Sequence, residues 1–478
     1  MSASLFLAPL LAALFSLTTD QRPLQWMNAP RLHYPTQSSV TLAMIPREDG
    51  QVWIEYGPGG QPGLATSPTT LRRGQLYSVE LGGLSPGTEC GAVVWSRRKD
   101  DDPWLASPVR RFRTLRPAQP GQVVRVAIAA DTHAWSLHSR HVAGVTLGDG
   151  WPDLQAALHN VVASGVDFFV ALTDTAMTKC GGCAPVVVPG LGQTSAGSAG
   201  SVEDALVRNR VTWGPDLLGR VAEVVPALLV LGDHDGEAGY ENPELSAWSR
   251  DARQATVPAV PGGYMAGPTG TLSYALESGP LLLVALDINA TTLRDPAAPE
   301  QWHVGTEQLA WLEAVLASSD RPWKVVMAEH LLGGLSDPTA PHWKGRGGIT
   351  STTDGSTMAP FVGEQLVLQE LFLQNGVDLY LSAQDHLVSW GVKDGIAYCI
   401  SGRAGGVPNT WSTESWYADA MDYDGDGIPE YNSGVTGTKK PGHFELTADD
   451  AKLRLEYVRA STNPGANGNV ILSFELQQ

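Results

Sequence analysis

Residues 123–133 read VVRVAIAADTH. From Val123 to Ala130 only Arg125 interrupts an apolar run, and a run of that kind is expected of a strand covered on both faces, as in a layered α/β sheet. The run stops at Asp131 and His133, two positions apart, so a tight loop would let their side chains converge. In open α/β sheets ligands sit at the carboxyl ends of strands. The stretch therefore predicts a buried strand and polar groups at the end where a site would form.

Working outward, the same form recurs. VDFFVAL (166–172) runs into Asp174, and ALLVLG (227–232) into Asp233, His234 and Asp235. WKVVMAE (323–329) leads to His330, and VDLYLSA (377–383) to Gln384 and His386. Between some of these runs lie segments with helical spacing, DLQAALHNVVASG (153–165) and TEQLAWLEAVLASS (306–319). Strands alternating with helices predict an α/β domain over 123–478. Taken singly, each strand-end residue is an ordinary cap or turn former. Their coincidence at strand ends throughout one domain points to a single metal site.

Residues 22–115 have another rhythm. SVTLAMI, QVWIEYG, LYSVELGGL, ECGAVVWSR and RRFRTL are separated by REDG, GPGGQPG and SPGT. Short alternating segments at this spacing predict a β-sandwich, and the Pro-rich RPAQPGQ (116–122) reads as a linker. With 478 residues, two domains are expected. A net charge of −18 repels phosphate backbones and argues against a nucleic-acid partner. The opening MSASLFLAPLLAALFSL predicts a signal peptide over 1–20 and a secreted or periplasmic protein, with a buried N-terminal helix or an uncleaved anchor as alternatives. No later segment is long and apolar enough for a membrane span. Cys180 and Cys183 form a lone CGGC; a disulfide is the first reading and a thiol pair the second. Cys90 and Cys399 read as buried apolar residues.

The series Asp131-x-His133, Asp174, Asp233-His234-Asp235, His330 and Gln384-x-His386 resembles calcineurin-like metallophosphoesterases. LGGLSPGTECGAVVWS resembles a fibronectin type III segment, with Cys90 in place of the usual tyrosine. That domain in front, together with DRPWKVVMAEH and IAYCISGRAGG, resembles the purple acid phosphatase branch. The resemblance implies a fibronectin III-like β-sandwich followed by a four-layer α/β metallophosphoesterase sandwich. One cation would be held by Asp131, His133 and His386, and a second by Asp233, His330 and Gln384. Asp174 would bridge the two. His234, oriented by Asp235, would contact the phosphoryl group or protonate the leaving group of a small phosphorylated substrate, with a metal-activated hydroxide as nucleophile. The cations would be of the Mn, Zn, Fe or Mg class. TDTAMTK (173–179) supplies no tyrosine for the iron-tyrosinate colour of that branch.

Four residues depart from the family pattern: Thr173 and Ala383 stand for glycines, Asp233 for asparagine, and Gln384 for histidine. An amide oxygen is a poorer ligand than imidazole for zinc or iron. Either the second position takes a harder ion, such as Mn, Mg or Ca, or it has eroded and one cation remains in a non-catalytic binding protein. DYDGDGIPE (422–430) places Asp422, Asp424, Asp426 and the Ile428 carbonyl as in an oxygen-lined calcium loop, the alternative being a solvated acidic turn. His138 and His141 read as ordinary loop residues, with a place at the substrate mouth or a ligand role compensating for Gln384 as the alternatives. Lys344 and Arg346 are candidates for a phosphate contact, and Asp287 for a structural cap.

Overall fold

The computed structural model describes residues 22–478 except 62, 146–149, 240, 292–303, 333–363, 406–430 and 434–437, with only the backbone of 364–366 and 431–433. The expected signal peptide, the Asp422–Ile428 calcium loop, Lys344 and Arg346 lie outside these residues. Among the described residues no helix is long and apolar enough to cross a membrane.

Two large sheets form the α/β part. In the first, Val124–Ala130, Phe168–Leu172 and Ala227–Val230 run parallel side by side. The C-terminal strands Gly442–Ala448, Lys452–Arg459 and Val470–Gln477 extend it antiparallel on one side. In the second, Leu281–Ala285, Trp323–Met327, Leu379–Ser382 and Ile396–Ser401 are parallel neighbours.

The apolar runs are apolar throughout because both faces of each sheet are covered. Leu281, Leu283, Val325, Met327, Leu379 and Leu381 point inward to a core shared with Val126, Ile128, Phe168 and Val170 of the first sheet. Their alternates, Leu282, Val284, Val326 and Tyr380, pack outward with Leu312, Leu316, Leu368 and Phe372 of the helices Thr306–Ser318 and Glu364–Asn375. Leu154, Leu158 and Val161 of the helix Gly150–Ala163 cover the first sheet. This is the four-layer arrangement, helix, sheet, sheet, helix, and it sets the two groups of parallel carboxyl ends side by side.

The N-terminal sandwich is present, but it is not a separate body. Trp26–His33, Val40–Pro46 and Tyr77–Leu81 form one of its faces and also continue the first large sheet, through His33 paired with Ala227. Gly50–Pro58 and Glu89–Arg97 lead the opposite sheet, and Leu42, Met44, Val52, Ile54, Cys90 and Val94 fill the space between. At the linker Arg116 ion-pairs with Asp167 at 2.9 Å.

One loop with little regular structure, residues 173–201, is fastened by a single buried guanidinium. Arg208, in the helix Val202–Thr212, is fully buried. It donates to Asp204 Oδ1 at 2.7 Å and to the carbonyls of Met177 at 3.0 Å and Gly197 at 2.9 Å. The Cys180–Cys183 disulfide closes a small turn in the same loop. Replacing one partner of a buried ion pair strands the other and costs about 3–5 kcal/mol. Arg208→Met should lower stability by about that amount in denaturant titration, and trypsin should then cut within 173–201 while sparing the β-sandwich.

Candidate metal centre

The parallel strands Val124–Ala130, Phe168–Leu172 and Leu379–Ser382 run into left-handed turns. Among the described residues nine non-glycine positions have positive φ, and Asp131, His133, Thr173, Asp174, Gln384 and His386 are six of them. Left-handed backbone costs on the order of 1–3 kcal/mol per residue and persists only where the surroundings enforce it. Here the loops hold one another. The Asp131 N–H donates to Leu172 O at 3.1 Å, His133 N–H to Asp174 O at 2.8 Å, and Thr173 N–H to Val230 O at 2.9 Å. In the second sheet Ala328 N–H donates to Leu381 O at 3.0 Å and Ala383 N–H to Glu329 O at 2.8 Å.

These turns gather the predicted residues. Asp131, His133, Asp174 and His386 each offer a ligand atom, and those atoms lie within 4.8 Å of one another. His133 Nε2 is 3.0 Å from His386 Nε2 and 3.4 Å from Asp174 Oδ2; His386 Nε2 is 3.6 Å from Asp131 Oδ1. A second group, Asp174, Asp233 and His234, meets the same limit. Asp174 belongs to both, as a carboxylate shared between two cations must. Burial opposes ionisation of Asp233, but the His234 and Lys179 charges, with His330 beside them, hold its pKa down to about 2; His330 is buried close by but does not fall in the second group.

Electrostatics confirm that the centre is short of positive charge. Burial, reinforced by the Asp233 and Asp235 charges, lifts the Asp174 pKa to about 8. Burial and Asp174 push Asp131 well above the ordinary range. Burial, with the His386 and His234 charges, keeps His133 neutral, the form that ligates. Asp233 Oδ1, Gln384 Oε1 and both Glu329 oxygens are buried acceptors that complete no hydrogen bond. Orphaned acceptors among crowded carboxylates are the donor set a hard cation takes, so these residues fit the metals the motif implies.

Some expectations change and others hold. Asp235 does not orient His234. Its Oδ1 accepts from Thr175 N at 2.9 Å and Ala176 N at 2.8 Å, and its Oδ2 from Gly232 N at 3.0 Å. His234 is instead set by its Nδ1, 3.1 Å from the Lys179 carbonyl. His138 and His141 pack on Trp151, with centroids 5.6 and 4.8 Å apart, and join neither ligand group. Asp287 caps a turn, accepting from Leu272 N at 2.7 Å and Ala290 N at 3.1 Å. Cys90 and Cys399 are free and buried.

Two residues went unnoticed in the sequence. Lys179 joins Asp233 Oδ2 at 3.1 Å to Glu241 Oε1 at 2.8 Å; it lies in a loop without periodicity, so nothing marked it. Glu329, wholly buried, stood in plain view beside His330.

A family model for calcineurin-like phosphoesterases matches residues 124–387. The chain belongs to the calcineurin-like phosphoesterase family. Among solved structures, this phosphoesterase is similar to PhoD, at 14% identity over 95% of this chain and 91% of that one, TM-score 0.64. It is also similar to the purple acid phosphatase PPD1 from yellow lupin (Lupinus luteus) seeds, at 17% identity over 94% and 74%, TM-score 0.59. At such identities the likeness is one of fold, and it extends through the N-terminal sandwich. No curated protein matches the chain.

Two outcomes follow from this geometry. A Cβ on Gly232 would collide with Asp174 Oδ1, the Asp174 N–H and Glu329 Oε2, so Gly232→Ala should weaken cation binding at least about 10-fold. Calorimetric titration with Mn2+ reads this, and an unchanged affinity would move the centre elsewhere. The second concerns pH. The Asp174 pKa rises from about 3.9 in an unfolded chain to about 8, so the folded chain holds this proton more tightly. Stability of the chelated protein should therefore fall as pH climbs through that window. Mn2+ competes with the proton, so it should raise the melting temperature more at about pH 8 than at about pH 5. Equal shifts at both pH values would take Asp174 out of the cation site.

Proposed function

We propose that this chain is a metal-dependent phosphoesterase acting on small phosphate esters outside the cytoplasm. The observation that carries this reading is Asp174, shared by two ligand groups at the meeting of the two sheets. A pair of cations bound there would lower the pKa of a water between them and neutralise charge on the transferring phosphoryl group.

The chain's own residues supply the rest. Asp174 is held in place twice, its carbonyl accepting the His133 N–H and its Oδ1 accepting the His234 N–H at 3.0 Å. Burial opposes protonation of His234, but Asp233 and Asp174 outweigh it and raise the pKa to about 9. In the metal-free chain the imidazolium is thus favoured, with Nδ1 turned to the Lys179 carbonyl and Nε2 on the other side of the ring. That nitrogen can donate to a phosphoryl oxygen or protonate the departing alkoxide. The Cys180–Cys183 disulfide supports an oxidising compartment.

A second reading has one observation in its favour. The Lys179 ammonium occupies one oxygen of Asp233, and with Gln384 in place of imidazole, a single cation bound by a non-catalytic protein would satisfy the same residues.

Hydrolysis of a chromogenic phosphate monoester and diester with added Mn2+, Zn2+ or Ca2+ decides between them. The enzyme reading expects turnover that chelation abolishes. Asp174→Ala should cut kcat/KM at least about 100-fold, and His234→Ala should lower kcat about 10²–10⁴-fold with a smaller change in KM. No turnover with any of the ions leaves the single-cation binding protein.

A further inference from the structure

Glu329 has no place in the ligand set considered so far. It follows the strand Trp323–Met327, immediately before His330, and is wholly buried. Neither of its oxygens completes a hydrogen bond; the Thr173 hydroxyl beside it eases the charge only in part. Its neighbours are of the wrong sign, the buried carboxylates Asp174, Asp131 and Asp233. The backbone fixes it there, because the Glu329 carbonyl accepts the Ala383 N–H at 2.8 Å and the Tyr380 hydroxyl donates to the His330 carbonyl at 2.8 Å. Gly232 leaves room for it, since a Cβ there would strike Asp174 Oδ1 and Glu329 Oε2 together. The two carboxylates therefore face each other across that glycine.

An isolated buried carboxylate costs several kcal/mol, and it persists only when protonated, paired or bound to a metal. Among the described residues, the ammonium at this centre, Lys179, is engaged by Asp233 and Glu241. Asp233 and Gln384 both present oxygen where the family pattern has a side-chain nitrogen or amide, so the second position already lacks one strong ligand.

We propose that Glu329 is a ligand of the second cation, supplying the anionic donor that Gln384 does not, and that the position is thereby suited to a hard ion such as Mn2+ rather than to Zn2+. The assignment rests on the dinuclear reading of the centre. A glutamate has three side-chain torsions with which to bring an oxygen toward a cation held by Asp174 and Asp233. With Asp174, Asp233, Glu329 and the Gln384 oxygen set against His330, oxygen donors outnumber imidazole at the second position, and carboxylate-rich sites favour Mg, Ca and Mn.

The test measures metal rather than turnover. Chelated full-length protein is dialysed against Mn2+ or Zn2+, bound metal is counted by elemental analysis, and the electron paramagnetic resonance spectrum shows whether Mn2+ ions are exchange-coupled. The expected result is a coupled Mn2+ pair in the unmodified protein. In Glu329→Gln the coupled signal should be lost and affinity for the second ion should fall about 10–100-fold, with the first ion retained. Glu329→Asp, which keeps the charge on a shorter stem, should fall between, and it decides the matter if Glu329→Gln does not fold. Adding Gln384→His to Glu329→Gln should restore a second ion with the preference moved toward Zn2+. A coupled pair of unchanged affinity in Glu329→Gln would overturn the proposal and make Glu329 a buried neutral carboxyl; so would a single ion in both proteins. Loss of the pair in Glu329→Gln with no hydrolysis by the unmodified protein would keep this ligand and sink the phosphoesterase reading. Hydrolysis with metal content untouched by the substitution would do the reverse.

Discussion

Negative charge is concentrated where two parallel sheets end, and much of the surrounding structure serves to hold it there. Asp131, Asp174, Asp233 and Glu329 are all buried, and the positive groups near them among the described residues, Lys179, His234 and Arg403, are too few to neutralise them. Carboxylates left so close without a cation repel one another and take up protons. The centre is therefore least comfortable as a bare protein at neutral pH and is relieved by divalent metal.

That crowding needs a rigid frame. Both sheets bury both faces, so the strand ends cannot drift apart without opening a packed core. The left-handed turns at Asp131, His133, Thr173, Asp174, Gln384 and His386 are the means by which extended strands present side chains forward rather than sideways. Their unfavourable backbone is tolerated because each turn hydrogen-bonds to the next strand or loop. Thr173 is the clearest case: a β-branched residue at φ 63° is held by its N–H to the Val230 carbonyl.

The loop 173–201 adds a second level of control. Arg208 fastens it to the helix Val202–Thr212, and through that loop Lys179 reaches Asp233 with its ammonium and His234 with its carbonyl. A side chain with no resemblance to a ligand thus sets the charge of one metal-binding residue and the ring orientation of another. Asp235, the apparent partner of His234 in sequence, is used instead to tie residues 175, 176 and 232 together.

Much was legible in the sequence because it depends on local pattern. Apolar runs with metal-ligating types at their ends can be read from periodicity alone, and they placed Asp131, His133, Asp174, Asp233 and His386 in one centre. The sandwich was legible too, from its short alternating segments and turns. Its fusion with the large sheet was not, since the pairing of His33 with Ala227 joins residues far apart in the chain. The partners of Asp235 and Lys179 were likewise hidden, because hydrogen bonds between distant loops leave no periodic trace. Glu329 shows the limit most plainly. Its identity was visible, but a glutamate at a strand end is ordinary until the fold buries it among three aspartates. Sequence determines which residues could bind a cation; only the packing of one sheet against the other decides which of them have no other way to be satisfied.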